Sequence, residues 1–94
     1  MSGKLNPDSA VALNPLFRMQ YEKAQGCYVL LFPEGMVKLS DTAAEILSHV
    51  DGKRSPYEVI AALQDKYPGA ETLADDVTEF FGVAYDKKWI QPAG

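Results

Sequence analysis

The sequence predicts an α+β domain in which a three-stranded antiparallel meander precedes a three-helix cluster. Three observations carry this prediction. Residues 16–39 alternate in polarity or run apolar in short stretches broken by Gly and Pro, the period-two signature of strands. Beyond residue 41 the apolar spacing changes to threes and fours, the helical period. Helix-start signals and glycine or proline stops then divide that second half into three pieces. At 94 residues the chain forms one domain with a small core, burying roughly 60–65% of the surface an unfolded chain exposes.

Asn6-Pro7 and Asn14-Pro15 each favour a turn or an extended stretch. Residues 1–15 are therefore expected to form a flexible N-terminal arm, with the domain over 16–91 and a tail at 92–94. Phe17, Met19 and Tyr21 alternate with Arg18, Gln20 and Glu22, which predicts a half-buried strand. Ala24-Gln25-Gly26 supplies the hairpin connection. Tyr28-Val29-Leu30-Leu31-Phe32 is apolar without interruption, the pattern of a central strand covered on both faces. Three helices cover one face of a sheet but hardly both, so part of the second face is left for a partner or a second subunit. Pro33-Glu34-Gly35 is a tight turn, and residues 36–39 form a short third strand at the edge.

Ser40 is placed to cap a helix from Asp41 to about Val50, with Ala43, Ile46, Leu47 and Val50 on one face and Asp51-Gly52 as its stop. Ser55-Pro56-Tyr57-Glu58 is a complete start signal: a cap, a proline at the first helical position and a glutamate closing a capping box. Val59, Ile60 and Leu63 form the apolar face of that helix, and Tyr67-Pro68-Gly69 ends it. Thr72 and Asp75 frame a third helix whose Leu73, Val77, Phe80, Phe81, Ala84 and Tyr85 recur at helical spacing. Lys87 and Lys88 fall in its last turn, where cations complement the carbonyl end, and Trp89-Ile90 closes the chain onto the domain. This element order is winged-helix-like, with the wing at the front.

Little in the sequence points to catalysis. His49, the one histidine, has no nucleophile or carboxylate spaced to work with it and reads as a helix side chain. Cys27, the one cysteine, excludes a disulfide framework within the chain and reads as an inert, buried thiol. Asp75, Asp76 and Glu79 read as acids of a helix start and its solvated face rather than a metal site. Trp89 reads as an anchor of the last helix rather than a stacking platform. Isolated glycines form no phosphate-binding loop. No catalytic residue, metal or cofactor is therefore expected. A net charge of −4 argues against nucleic acid and anionic membranes as partners. Residues 1–4 lack a signal-peptide pattern, and no apolar run approaches the roughly 18 residues of a membrane span. A soluble cytoplasmic protein is expected.

Two functions of different classes remain. A winged-helix DNA-binding regulator would insert the start of the third helix into a groove, but Glu71, Asp75, Asp76 and Glu79 would meet phosphate with the wrong sign. Peptide capture by strand addition fits better. An edge strand over Met36, Val37, Lys38 and Leu39 offers unpaired backbone groups, and proline at Val37 is expected to remove a needed donor. The third helix offers Val77, Phe80, Phe81, Ala84 and Tyr85 as the wall of a docking cleft, unless some or all of these are ordinary core. The exposed edge also predicts self-association as a homodimer, through the edge itself or by exchange of the N-terminal hairpin.

The stretch Leu30-Leu31-Phe32-Pro33-Glu34-Gly35-Met36-Val37-Lys38-Leu39-Ser40-Asp41-Thr42-Ala43-Ala44-Glu45-Ile46-Leu47 resembles the PqqD family, as do Asp51-Gly52-Lys53-Arg54-Ser55, Asp75-Asp76-Val77, Phe80-Phe81 and Trp89-Ile90. The resemblance spans about residues 15–91. Family members usually carry asparagine before the first helix, where this chain has Ser40, an equally good cap. The resemblance implies a non-catalytic peptide chaperone of pyrroloquinoline quinone (PQQ) biosynthesis. Such a protein binds the ribosomally made precursor peptide and presents it to a radical S-adenosylmethionine enzyme, which cross-links a glutamate and a tyrosine of that peptide. By the same resemblance, the peptide adds as a strand at residues 36–39, facing Val77, Phe80, Phe81, Ala84 and Tyr85. Lys38, with Lys87 or Lys88, would draw in acidic residues of the peptide.

Overall fold

The computed structural model describes residues 5–93, and within them three helices pack on one face of a small antiparallel sheet. Strands β2 (Arg18–Glu22), β3 (Cys27–Phe32) and β4 (Gly35–Lys38) follow one another in sequence and in space. Their register sets Met19, Leu30 and Val37 side by side in one row, and Gln20, Val29 and Lys38 in the next row, on the opposite face. The first row turns inward to the helices. Gly26 takes φ 70 in the turn between β2 and β3, a left-handed conformation that costs glycine little. The mixed class, antiparallel strands ahead of three helices, is as the sequence predicts.

Helices α1 (Asp41–Ser48), α2 (Pro56–Lys66) and α3 (Leu73–Asp86) supply most of the core. α1 lies on β3, and α2 packs on α3. Leu30, Ile46, Val59, Leu63 and Phe81 meet in one buried cluster. The caps form as their residue types dictate. Ser40 Oγ accepts the Ala43 N–H at 3.1 Å. Ser55 Oγ accepts from the Glu58 N–H at 3.2 Å while Glu58 Oε1 accepts from the Ser55 N–H at 2.8 Å, a reciprocal box. Such a cap stabilises by about 1 kcal/mol. A tie absent from the sequence reading joins α1 to the end of α2: Glu45 takes Lys66 Nζ at 2.6 Å on one oxygen and the Tyr67 hydroxyl at 2.8 Å on the other.

Two expectations need correction. The arm expected over residues 1–15 contains strand β1 (Val11–Leu13), paired antiparallel with β5 (Ile90–Pro92), which in turn reaches into the expected tail. Residues 1–4 and 94 lie outside the described residues. Val11 has no exposed surface and belongs to the core. Its backbone is gripped from both sides, its N–H donating to the Arg54 carbonyl and its own carbonyl accepting from Gly52 N–H, each at 3.0 Å. Asp51 holds that turn in shape by accepting the N–H groups of Lys53 and Arg54, so the Asp-Gly-Lys-Arg motif has a structural role. The second correction concerns α3, which stops at Asp86. Lys87 is its C-cap, and Lys88 sits beyond it at φ 64. Neither lysine is in the last turn.

Candidate functional site: a free strand edge beside α3

β4 is bonded to β3 on one side, and among the described residues no strand pairs with the other. The Leu39 N–H donates to the Tyr28 carbonyl at 2.9 Å. Inward and outward positions alternate along an antiparallel strand, so Leu39 and Val37 spend their backbone groups on β3 while Met36 and Lys38 turn theirs outward. This corrects the reading of Val37: a proline there breaks the protein's own sheet. The donors available to an added strand are those of Met36 and Lys38, whose side chains are also exposed.

α3 begins near the point where the chain has left β4 for α1. At its start, Leu73, Asp76 and Val77 share a cavity of about 380 Å³ with Asp41 and Thr42, which follow directly on β4. At its end, the Trp89 carbonyl accepts the Asn14 N–H at 2.8 Å, and the Asn14 carbonyl accepts the Phe17 N–H at 2.8 Å. The Phe17 ring lies 5.3 Å from Phe32, the register partner of Gly35, where β4 begins. α3 packs chiefly on α2 and β5.

The nine residues named from sequence do not all reach this groove. Met36 and Lys38 lie on the edge with exposed side chains, and Val37 is partly buried beside them. Leu39, Val77, Phe81 and Ala84 are each at most 5% exposed and belong to the core. A continuous apolar series on a helix marks its most buried face, so these residues serve the core, although Val77 also lines the cavity at the start of α3. Tyr85 lines a different cavity, with Tyr57, Thr78 and Gly82, on the α2 side of α3. Phe80 is partly exposed, its ring 6.3 Å from Trp89. Helical geometry aligns Leu73, Asp76, Phe80 and Val83 along one side of α3. Val83 is 43% exposed although apolar. It was missed in the sequence because it stands outside the core series, and its signal was the same fact: an apolar residue one step off the buried stripe.

The groove mixes signs. Asp41 and Asp76 are exposed at one end, with the Thr72 hydroxyl donating to Asp76 Oδ2 at 3.1 Å. Lys38 lies on the edge, and Lys87 Nζ sits 6.0 Å over the Trp89 ring. Glu45 borders the same cavity, and the Lys66 ammonium, then the Tyr67 hydroxyl, hold its carboxyl below the usual value of 4.5. His49 is partly exposed at the end of α1, with Nδ1 2.9 Å from the Glu45 carbonyl oxygen. Cys27 is partly exposed rather than buried. Among the described residues no three acids, histidines or cysteines gather as metal ligands, and no helix is long and apolar enough to cross a membrane. The start of α3, which a DNA-binding reading would send into a groove, exposes Asp75, Asp76 and Glu79, so nothing here supports that alternative.

The family model described as "Coenzyme PQQ synthesis protein D (PqqD)" matches residues 27–90. The chain belongs to the PqqD family. A protein of Azotobacter vinelandii named "PqqA binding protein" is 52% identical over 75 residues, covering 80% of this chain and 82% of its own. A protein of the same name from Pseudomonas paraeruginosa is 46% identical, covering 89% and 91%. The solution structure of the PqqD truncation of Methylobacterium extorquens PqqCD, described as a functional, stand-alone RiPP recognition element, superimposes with a TM-score of 0.75 at 20% identity, covering 95% of this chain and 96% of that one. The crystal structure of PqqD from Xanthomonas campestris gives a TM-score of 0.55 at 28% identity, covering 94% and 99%. The PqqD family model begins at Cys27, so it takes in β3, β4 and all three helices but neither β1 nor β2.

Proposed function

We propose that this chain captures the ribosomal precursor peptide of PQQ as an added strand on β4 and presents it, without catalysis, to a radical S-adenosylmethionine enzyme that cross-links a glutamate and a tyrosine. The observation that supports this most directly is the free edge itself, with the Met36 and Lys38 backbone groups turned outward. Relatives at about half identity that carry the name PqqA binding protein supply the guest. Backbone pairing gives affinity that tolerates sequence variation, and the apolar side of α3 selects the register. The same edge is where a second copy of the chain would pair, in competition with the peptide.

Calorimetric titration with the precursor peptide tests this reading. Lys38→Pro removes an outward N–H while sparing the bonds to β3, and proline is tolerated on a strand edge at such a position. It is expected to weaken peptide binding about tenfold or more, the loss of a backbone hydrogen bond and its alignment. Lys38→Ala, which keeps the donor and loses the charge, is expected to lower mainly the association rate. Equal, small effects of the two variants would rule out strand addition at β4.

A further inference from the structure

The sheet has a second free edge, on β2. Among the described residues β2 pairs with β3 and with no other strand. The Leu39 N–H donates to the Tyr28 carbonyl, so Tyr28 and Leu30 spend their backbone groups on β4, while Cys27, Val29 and Leu31 turn theirs to β2. Their register partners Glu22, Gln20 and Arg18 are thereby engaged. The N–H and C=O groups of Met19 and Tyr21 are left pointing away from the sheet. Tyr21 is 52% exposed at this edge, its ring held edge-to-face at 5.1 Å from Tyr28. Arg18, Gln20 and Glu22 stand in a row on the opposite face of the strand. Gln20 Nε2 donates to Glu22 Oε2 at 3.3 Å, and among the described residues neither Arg18 nor Glu22 forms an ion pair.

The order Arg-Met-Gln-Tyr-Glu along β2 is complementary to its own reverse. With Gln20 on a two-fold axis, Arg18 of one copy faces Glu22 of the other, and Met19 faces Tyr21. The backbone agrees with the same register. Met19 and Tyr21 have the outward groups and can exchange N–H···O bonds across the axis. Arg18 and Glu22 fall at the positions without such bonds, where cross-strand side chains come closest. We propose that β2 is the contact through which two copies of this chain pair, antiparallel and isologous, into one sheet of order β4-β3-β2-β2-β3-β4. Charge complementarity selects the second copy, since opposite charges facing each other across an antiparallel pair attract and like charges repel. The β4 edge has no such match: it holds a lysine and no carboxylate, so that strand forms no ion pair with its own image in any register. Pairing at β2 leaves both β4 edges at the ends of the joined sheet, open to a peptide. The contact does not depend on whether β4 takes one.

Sedimentation of the full chain over a concentration series tests this. The wild-type mass is expected to rise from monomer to dimer. Arg18→Glu sets glutamate against glutamate across the axis, and Glu22→Arg sets arginine against arginine. Each is expected to weaken dimerisation about tenfold or more, by a margin that shrinks as salt is raised. An equal mixture of the two variants restores both ion pairs and is expected to form a heterodimer at about wild-type affinity. The double variant Arg18→Glu/Glu22→Arg is expected to recover the homodimer in the same way. Recovery on mixing separates a charge register from damage to the fold, which a second damaged chain does not repair. A wild-type mass that stays monomeric at every concentration, single variants that dimerise like wild type, or no recovery in the mixture overturns the proposal. A dimer that the precursor peptide dissociates assigns the contact to the β4 edge and likewise overturns it. A chain that dimerises as described but ignores the peptide overturns the peptide reading alone.

Discussion

Glu45 ties α1 to the end of α2 through both of its oxygens, and the tie has a definite pH dependence. Its carboxyl is held below 4.5 by Lys66 first and Tyr67 second, while the same contacts raise the Lys66 ammonium and the Tyr67 phenol. A carboxyl depressed in the folded state stabilises above its unfolded pKa and loses that contribution as pH falls through the folded value. Wild type is therefore expected to be more stable than Glu45→Gln at pH 7, with the gap closing as pH drops below about 4.5. Urea unfolding of the pair at neutral and acid pH checks this. A constant gap would assign the difference to packing. This tie was not legible in the sequence, because Glu45 and Lys66 are joined only once the two helices have packed. The caps at Ser40 and Ser55 were legible because each concerns residues three apart.

Among the elements, β4 shows what a sequence pattern does and does not carry. The sequence located the strand, but its pairing with β3 had to be in place before inward and outward backbone positions could be told apart. For that reason Val37 was taken as a docking donor when its bonds belong to β3. α3 shows the converse error. Its apolar series located the helix and named Val77, Phe81 and Ala84, whose regularity identifies the core. The residues of α3 left open to solvent are irregular neighbours of that series, Phe80 partly and Val83 more so. The end of α3 carries its own prediction. Lys88 holds φ 64, a conformation that costs a residue with a β-carbon roughly 1–2 kcal/mol. Lys88→Gly is expected to leave the melting temperature unchanged or higher, and Lys88→Val to lower it. Scanning calorimetry of the two variants decides, and a lower melting temperature for the glycine variant would refute the argument.

For the whole molecule, the pairing of β1 with β5 makes the first described strand part of the core. It was invisible in the sequence because β1 has three residues, follows an Asn-Pro turn and finds its partner only across the full chain. Val11 is the measure of its weight. Val11→Ala is expected to cost about 2 kcal/mol, the removal of two fully buried methyl-sized groups and the space they leave. In a domain of this size that lowers the melting temperature by about 10 °C. A change below about 3 °C would mean that the strand is dispensable. Peptide affinity at low temperature should survive, since Val11 is far in sequence from β4 and does not line its edge.

The same pairing sets a timetable for synthesis. Val11 and Pro92 are partners about 80 positions apart. At roughly 5–20 residues per second, the ribosome has made β1 about 4–16 s before its partner exists. Throughout that interval the hairpin strands and the first helices have local contacts to form, and β1 can be held at Val11 by the Gly52–Arg54 turn, but it has no strand partner. Non-local contacts of this kind form slowly, since the entropy of closing the loop is lost before the contact stabilises anything. The first of the described strands is thus the last of them to gain its strand partner.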